Sequence, residues 1–172
     1  MNVLVTGAAG YIGSVIVAEL VHNGHTVVAL DNLSLGHKAA VHPKATFVHA
    51  DLSEYTQVHQ VFSTGKIDAV IHLAGESLVG ESMRNPGKFF QANILNGLNL
   101  LEAMRHNDVK KIVFSSTAAV YGEPEYIPID ESHPTVPINY YGFTKLTIEA
   151  VLQWYSKIHE IKYFFDNNIL LQ

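Results

Sequence analysis

The sequence predicts an α/β fold in which a doubly wound parallel sheet of about six strands carries helices on both faces. Short runs of β-branched residues alternate with longer segments of helical periodicity. Several of the short runs are apolar at every position, as strands buried on both faces of a sheet require. A glycine-rich turn follows the first run, at the end of the strand where such sheets bind ligands.

The predicted strands come from short runs rich in β-branched and other apolar residues. They are Asn2–Thr6, Thr26–Asp31, Thr46–His49, Ala69–Leu73, Lys111–Ser116 and Ile161–Phe165. Ligands of open α/β sheets bind at the carboxyl ends of the strands, near the point where the strand order reverses. Residues that directly follow these runs are therefore the first candidates for a functional site.

The predicted helices are Ile12 to about Asn23, Tyr55–Phe62, about Lys88 to Arg105, and Tyr140–Ile158. The first has an apolar residue at every fourth position from Ile12 to Leu20, and Gly24 is placed as its C-terminal stop. The third has apolar residues at helical spacing from Ile94 to Leu101. Strands that alternate with helices in this way form parallel sheets covered on both faces.

The composition is typical of one globular domain, here residues 1–172, with 48% hydrophobic and 16% charged residues. The formal net charge is -5 and Lys and Arg are not clustered, so no nucleic acid is expected as a partner. No apolar run reaches the roughly 18 residues that a membrane span needs, and the N-terminus has the pattern of a strand, not of a signal peptide.

The residue types that usually bind metals give no metal-site pattern. The chain contains no cysteine, which excludes disulfides, thiolate metal sites and a cysteine nucleophile, and which fits a reducing cytoplasm. Its 10 histidines occur at irregular spacings, without the carboxylates of a metal site. His72 lies inside a predicted strand and is interpreted as a core or edge residue. We therefore predict no metal site.

The glycine-rich turn, TGAAGYIG (6–13), joins the first strand to the first helix. Gly7 permits a tight turn, Gly10 lets the backbone approach a pyrophosphate, and Gly13 lets the helix pack closely on the sheet. Exposed N–H groups at the start of the helix favour the negative charge of such a group. Asp31, after the second strand, can accept hydrogen bonds from an adenosine ribose and would repel a 2′-phosphate, which favours NAD over NADP.

Tyr141 and Lys145 form a Y-x-x-x-K pair on one face of the last predicted helix. Tyrosine normally loses its proton at about pH 10. Because a nearby ammonium favours the phenolate, we expect Lys145 to lower the pKa of Tyr141 and make it a general base toward an alcohol. The fifth strand ends in hydroxyl residues, and Thr117, directly after it, would hold the substrate oxygen beside the tyrosine.

Together these segments resemble the extended short-chain dehydrogenase/reductase family, the NAD-dependent epimerases and dehydratases, over about residues 1–160. Within this family the similarity is greatest to the UDP-glucose 4-epimerases. The segments that carry it are TGAAGYIG (6–13), DNLSLG (31–36), HLAGESLVGES (72–82), the N-x-x-N-G stretch that begins at Asn93, SSTAAVYG (115–122) and YYGFTK (140–145). The resemblance implies a Rossmann-like fold with NAD as its cofactor.

The resemblance also implies a role for residues that follow each strand. The pyrophosphate would be held by Gly7, Gly10, Tyr11, Ile12 and Gly13. The adenosine ribose would contact Asp31, Asn32 and Ser34, and the adenine would contact Asp51 and Leu52. The cofactor would be lined by Leu73, Ala74 and Gly75 and supported from the long helix by Asn93. The catalytic hydroxyl would be Thr117 and the base Tyr141, with Lys145 as its partner, and the last two would also contact the cofactor.

In the enzymes that the chain resembles, a tightly held NAD removes a hydride from C4 of a UDP-sugar, and the hydride returns to the other face of the 4-keto intermediate. The resemblance thus implies the interconversion of UDP-glucose and UDP-galactose. It also implies a homodimer formed through the two long helices. Ser77 departs from the pattern, because some epimerases carry a lysine there.

The end of the chain, residues 160–172, departs further from the family pattern. Family members continue with a domain that binds the nucleotide sugar, so we expect a truncated chain with an atypical tail, an intact NAD site and weak or lost activity. We also expect bare apolar surface near Phe164 and Phe165, with a tendency to self-associate.

Two other functions are compatible with the sequence. Another epimerase or a sugar-nucleotide dehydratase would share most of these motifs, although Ala118 and Ala119 stand where dehydratases usually carry an acidic pair. A non-catalytic NAD-binding protein would keep the cofactor site without turnover.

Overall fold

The computed structural model describes residues 1–63 and 65–166, which contain a six-stranded sheet. Its strands are β1 (Asn2–Thr6), β2 (Thr26–Asp31), β3 (Thr46–His49), β4 (Ala69–His72), β5 (Lys111–Ser115) and β6 (Lys162–Asp166). They lie in the order β3-β2-β1-β4-β5-β6, and every neighbouring pair is parallel. The chain moves outward in one direction from β1 and in the other from β4, so these two strands flank the switch point where such sheets bind ligands.

The helices are α1 (Tyr11–His22), α2 (Tyr55–Ser63), α3 (Val79–Ser82), α4 (Pro86–Phe89), α5 (Asn96–His106) and α6 (Tyr140–His159). A π-helical segment, Phe90–Leu95, joins α4 to α5 in one continuous helical run. Short 3-10 turns occur at Lys38–Ala40 and Ala118–Val120. None of the helices in the described part of the chain is long and apolar enough to cross a membrane.

Each face of the sheet carries a hydrophobic cluster. Neighbouring residues of a strand point to opposite faces, so Val5 of β1 packs in one cluster with Val17 of α1, whereas Leu4 packs in the other. The second cluster is the larger and contains Leu100 of α5 and Ile148 of α6. Residues of α2 belong to it as well. The predicted doubly wound α/β fold is therefore confirmed.

The predicted elements are present with small shifts at their ends. The sixth strand begins at Lys162, one residue later than predicted, because its pairing with β5 begins there, opposite Lys111. Ile161, just before it, is fully buried in the larger cluster. The long helix begins earlier than predicted, at Pro86, where the Asn85 side chain accepts a hydrogen bond from the Lys88 N–H. The helix α3 was not predicted, since four residues are too few to show a period. Residues 167–172 of the predicted tail lie outside the described residues.

Candidate cofactor and catalytic site

The glycine-rich turn brings the end of β1 close to the loop after β4. Gly7 has a φ of +70°, and a Cβ at this position would lie 2.7 Å from the backbone nitrogen of Ala74. A side chain would therefore be strained by the conformation and by the lack of space. A Cβ at Gly13 would overlap the Gly7 carbonyl, so α1 packs directly against the turn. Gly10 precedes α1 in an extended conformation, with no side-chain cap on the first N–H groups of the helix.

Asp31 connects this turn to the end of β2. Its buried carboxylate accepts hydrogen bonds from the backbone N–H of Ala9, at 2.9 Å, and of Leu33, at 2.7 Å. Each carboxylate oxygen has more than one lone pair, so both can still accept from the hydroxyls of a ribose. Its negative charge disfavours an additional phosphate at the same place.

A cavity of about 350 Å³ lies at the carboxyl ends of β1, β2, β3 and β4. Its wall contains predicted cofactor residues from all four strand ends: Gly7, Gly10, Tyr11, Asp31, Asn32, Ser34, Asp51, Leu52, Leu73, Ala74 and Gly75. Ser77, the position that departs from the family pattern, also lines it. The other predicted cofactor residues, Ile12, Gly13, Asn93, Tyr141 and Lys145, are not part of this wall. Four separate sequence segments thus converge on one site.

The cavity has a second carboxylate at the end of β3. Asp51 accepts hydrogen bonds from the Asn32 side-chain nitrogen and from the Ser53 N–H, each at 2.8 Å. Burial opposes the charge of this carboxyl, but the hydrogen bonds outweigh burial and lower the pKa of Asp51. Asp51 is therefore a carboxylate at neutral pH and can accept a hydrogen bond from an amino group such as that of adenine.

Asn93 acts on the cavity indirectly, through the loop after β4. Its Oδ1 accepts from the Glu76 N–H at 2.8 Å, and its Nδ2 donates to the Glu76 carbonyl and to Thr144 Oγ1, each at 3.0 Å. A Cβ at Gly75 would lie 2.8 Å from the same Oδ1. Asn93 therefore holds a wall of the cavity against α6, while its own side chain is bonded to protein groups.

Asn96 lines the cavity but was not among the predicted residues. Its Oδ1 is the one buried side-chain polar atom of the described residues that has no hydrogen-bond partner. Because buried acceptors are normally satisfied, an unpartnered acceptor beside a cavity fits a donor on a ligand. Its place in the N-x-x-N-G stretch was the sequence signal that could have identified it. With the glycine turn and the carboxylates Asp31 and Asp51, this acceptor makes the site suitable for a dinucleotide such as NAD.

The three catalytic candidates lie together beside the end of β5. The Thr117 hydroxyl lies beside the Tyr141 phenol, and Thr117 Oγ1 accepts from the Ala119 N–H at 3.2 Å. Lys145 Nζ lies 5.9 Å from the centre of the Tyr141 ring and donates to the Ser115 carbonyl at 3.0 Å. The ammonium therefore lies between the tyrosine and the sheet.

The start of α6 is fixed by two side chains that sequence reasoning missed. Asn139 caps the helix by accepting from the Gly142 N–H at 2.8 Å. Ser82, fully buried at the end of α3, accepts from the Tyr141 N–H at 3.1 Å. Both bonds set the position of the tyrosine backbone. The short helix α3 thus has a clear structural role, although its residues show no helical period.

The pKa of Tyr141 differs from the expectation. Burial raises the pKa of this phenol, and the neighbouring Thr117 hydroxyl opposes the rise only in part. The expected lowering by Lys145 is therefore wrong for this arrangement, in which the lysine donates to a backbone carbonyl. Burial also lowers the pKa of Lys145 to about 8, against the opposing effect of the Glu149 carboxylate.

The fold and the site together define a dinucleotide-binding α/β protein with a tyrosine–lysine pair at the edge of its sheet. The sequence pattern of the NAD dependent epimerase/dehydratase family matches residues 3–165, and the chain belongs to this family. The family and the cofactor class predicted from the sequence are thereby confirmed.

Individual relatives are similar over nearly the whole chain. UDP-glucose 4-epimerase of Lacticaseibacillus casei is 48% identical over 163 residues, which are 95% of this chain and 49% of that protein. The structure of UDP-glucose 4-epimerase from Thermus thermophilus in complex with NAD has a TM-score of 0.93 and 39% identity, over 96% of this chain and 54% of that one. The Thermotoga maritima enzyme with UDP-glucose has a TM-score of 0.92 and 35% identity, over 96% of this chain and 54% of its own. The chain therefore spans about half the length of these relatives.

Proposed function

We propose that this chain is the NAD-binding part of a UDP-glucose 4-epimerase, an isomerase that interconverts UDP-glucose and UDP-galactose in cytoplasmic galactose metabolism. The proposal rests on one observation: the cavity and the three catalytic candidates lie at the same edge of the sheet. The cavity lies at the ends of β1 to β4, and the group Thr117, Tyr141 and Lys145 lies at the end of β5. A cofactor in the cavity would therefore lie next to side chains that can move the proton of an alcohol.

The proposed chemistry divides between the cofactor and the protein. NAD, when bound, supplies a hydride acceptor. Tyr141 must be a phenolate to take the proton of the sugar hydroxyl as the hydride leaves, and it returns that proton when the hydride comes back. Because burial raises the pKa of this phenol, the step depends on positive charge near it. Thr117 would hold the same oxygen, since its hydroxyl lies beside the phenol. Lys145 supplies positive charge behind the phenol and can reach the nicotinamide ribose.

The residues after Thr117 favour an epimerase over a dehydratase. Ala118 and Ala119 begin a 3-10 turn and carry no group that could protonate a leaving hydroxyl. A dehydratase needs such an acid to expel water from the sugar. The relatives described above are named as UDP-glucose 4-epimerases, which supports the same choice.

The substrate contacts are proposed to come mainly from the part of the relatives that this chain does not match. Binding energy from the remote nucleotide positions a sugar for reaction. We therefore expect the chain alone to bind NAD and to show weak or no epimerase turnover. If so, the isolated chain would act as a non-catalytic NAD-binding protein.

We also propose a homodimer formed through the long helices. The outer face of α6 exposes Phe143, Trp154 and Ile158, whose relative exposures are 48%, 62% and 64%. Phe90, in the adjoining π-helical segment, is also exposed. An apolar face of this kind is typical of a protein interface. Sedimentation velocity should show a dimer that Trp154→Lys dissociates, whereas a monomeric wild type would contradict the proposal.

Calorimetric titration of nucleotide-free protein tests the cofactor assignment. We expect NAD to bind at least about tenfold more tightly than NADP, because Asp31 disfavours a 2′-phosphate. Asn96→Ala should weaken NAD binding by about fivefold, the value of one hydrogen bond of about 1 kcal/mol. Asn23→Ala, the same change at the far end of α1, is the control and should bind NAD normally. Equal binding of NAD and NADP, or no binding by folded protein, would refute the assignment.

A further inference from the structure

A buried carboxylate, Glu149, lies one helical turn beyond the proposed catalytic lysine. Tyr141, Lys145 and Glu149 follow one another at intervals of four residues and so share one face of α6. Lys145 is 5% exposed and Glu149 is 6% exposed. A buried carboxylate is costly unless it is bonded or paired. The Y-x-x-x-K pattern gives it no role.

Lys145 and Glu149 hold consecutive residues at the end of β5. Lys145 Nζ donates to the Ser115 carbonyl at 3.0 Å. Glu149 Oε1 accepts a hydrogen bond from the Ser116 hydroxyl. The next residue is Thr117, whose hydroxyl lies beside the Tyr141 phenol and opposes the rise in its pKa. Two side chains of α6 thus hold the segment that carries the proposed catalytic hydroxyl.

The surroundings of Lys145 make Glu149 its electrostatic partner. From β4, His72 faces the lysine, but burial and the charge of Lys145 lower the pKa of His72 to about 3, so the imidazole is neutral. From β5, the Phe114 ring lies 4.9 Å from Nζ. From α6 itself, Tyr141 and Glu149 face it, and Glu149 is the group whose negative charge opposes the loss of the ammonium. Burial raises the pKa of Glu149, while Ser116 and Lys145 oppose that rise.

We propose that Glu149 is a positioning residue of this site, which keeps the Lys145 ammonium in place and, through Ser116, holds Thr117 opposite Tyr141. The inference rests on the proposed function for the roles of Lys145 and Tyr141, but the arrangement of the side chains does not depend on it. Glu149 is not part of the cavity wall and bonds to Ser116, so it acts through its neighbours.

The titration of Lys145 in cofactor-free protein tests this directly. Lysine labelled with 15N reports each side-chain nitrogen by NMR, and Lys145→Arg identifies the signal of Lys145 by its loss. Glu149→Gln keeps the shape of the side chain and removes its charge. We expect the titration midpoint of Lys145 to fall by about one pH unit or more, because the buried ammonium loses its carboxylate. Glu102→Gln removes a carboxylate from α5 that binds Arg105 and Tyr155, and it should leave the midpoint unchanged.

The pH dependence of NAD binding separates positioning from a general effect on folding. Glu149→Gln should bind NAD about as well as wild type at pH 6.5, where Lys145 is charged in both. At pH 8.5 it should bind about tenfold less tightly, because one pH unit in the midpoint is a tenfold change in the charged fraction. Equal weakening at both pH values would overturn the inference.

Ser116→Ala provides a second route if Glu149→Gln does not fold. It removes the hydrogen bond that favours the charged form of Glu149, so the midpoint of Lys145 should fall in the same direction. An unchanged midpoint in a folded variant would overturn the inference. If wild type does not bind NAD, the proposed function fails, but the titration of Lys145 still decides the role of Glu149.

Discussion

At the scale of single residues, Asp31 shows how one carboxylate serves both the fold and the ligand site. Its two oxygens hold the backbone of Ala9 in the glycine turn and of Leu33 after β2. Leu33, whose N–H donates one of these bonds, has a left-handed φ of 60°. The carboxylate therefore shapes the turn and also adds negative charge to the cavity wall.

Asp31→Asn should weaken NAD binding by about tenfold to a hundredfold, because an amide can accept with only one of its two terminal atoms and has no charge. The preference for NAD over NADP should also decrease, since the repulsion of a 2′-phosphate is removed. Both affinities can be measured by calorimetry. Asp108→Asn is a matched control, since this exposed carboxylate pairs with Lys110 before β5. An unchanged preference in Asp31→Asn would contradict this role.

The sequence could predict the cofactor wall because its residues follow strands directly. Gly7, Asp31, Asp51 and Gly75 each lie within three residues of a strand end, so the parallel sheet brings them together. Asn96 is different, because the N-x-x-N-G stretch marks its position but does not show that packing leaves its Oδ1 without a partner. The raised pKa of Tyr141 was also unpredictable, since it depends on burial and on where Lys145 donates.

At the scale of elements, strand bounds were easier to predict than the structure of the long helix. β2 and β3 match their predicted ranges because each is a short apolar run between polar segments. The long helix was predicted as regular, yet it contains the π-helical segment Phe90–Leu95. Asn93, within this segment, reaches Glu76 and Thr144 on two other parts of the chain. These contacts are tertiary, so the spacing of apolar residues along the helix could not predict them.

Asn93→Ala should lower the free energy of unfolding by about 2–4 kcal/mol, because it removes the two hydrogen bonds with the Glu76 backbone and the one to Thr144 Oγ1. NAD binding should weaken too, since Gly75 and Glu76 belong to the cavity wall. Urea denaturation measures the first effect. Asn107→Ala, which removes one bond to the Ala103 carbonyl at the end of α5, is the control. Equal losses in the two variants would show that Asn93 has no special role in this junction.

At the scale of the whole molecule, buried His72 couples stability to pH. Thr6 Oγ1 and His72 Nδ1 lie 2.7 Å apart, and the ring is 3% exposed between the two strands that flank the switch point. Burial lowers the pKa of His72 to about 3. In the unfolded chain the pKa is about 6.5. The stability that this histidine contributes is thus complete above about pH 6.5 and is lost as the pH falls toward 3.

His72→Asn should reduce the dependence of stability on pH below neutrality. Between about pH 6 and 4, the slope of unfolding free energy against pH should fall by about 1.4 kcal/mol per pH unit, the contribution of one proton. Asparagine can keep a hydrogen bond to Thr6. The measurement is urea denaturation at several pH values, with exposed His37→Asn as control. Parallel curves for wild type and His72→Asn would contradict a neutral buried His72.

The two faces of β6 differ in how well they are covered. Phe165 packs against Phe114 in the larger hydrophobic cluster, with ring centres 6.5 Å apart. Phe164 points to the opposite face, is 65% exposed, and is paired in the sheet register with Val113. Helix α1 covers the same face of the sheet, but over β1 and β2, away from β6 in the strand order. An exposed aromatic ring on an edge strand favours self-association.

Phe164→Thr should therefore reduce concentration-dependent light scattering and the binding of a hydrophobic dye, with little loss of stability, because threonine suits a strand and the ring is already exposed. Tyr163→Thr is the matched control on the same strand. Tyr163 stacks on Phe165 with ring centres 4.6 Å apart, so its removal should cost stability without reducing scattering. The opposite result, less scattering from Tyr163→Thr and none lost from Phe164→Thr, would contradict this prediction. It would show that molecules associate through the strand edge or the covered face, and not through the bare face over β5 and β6.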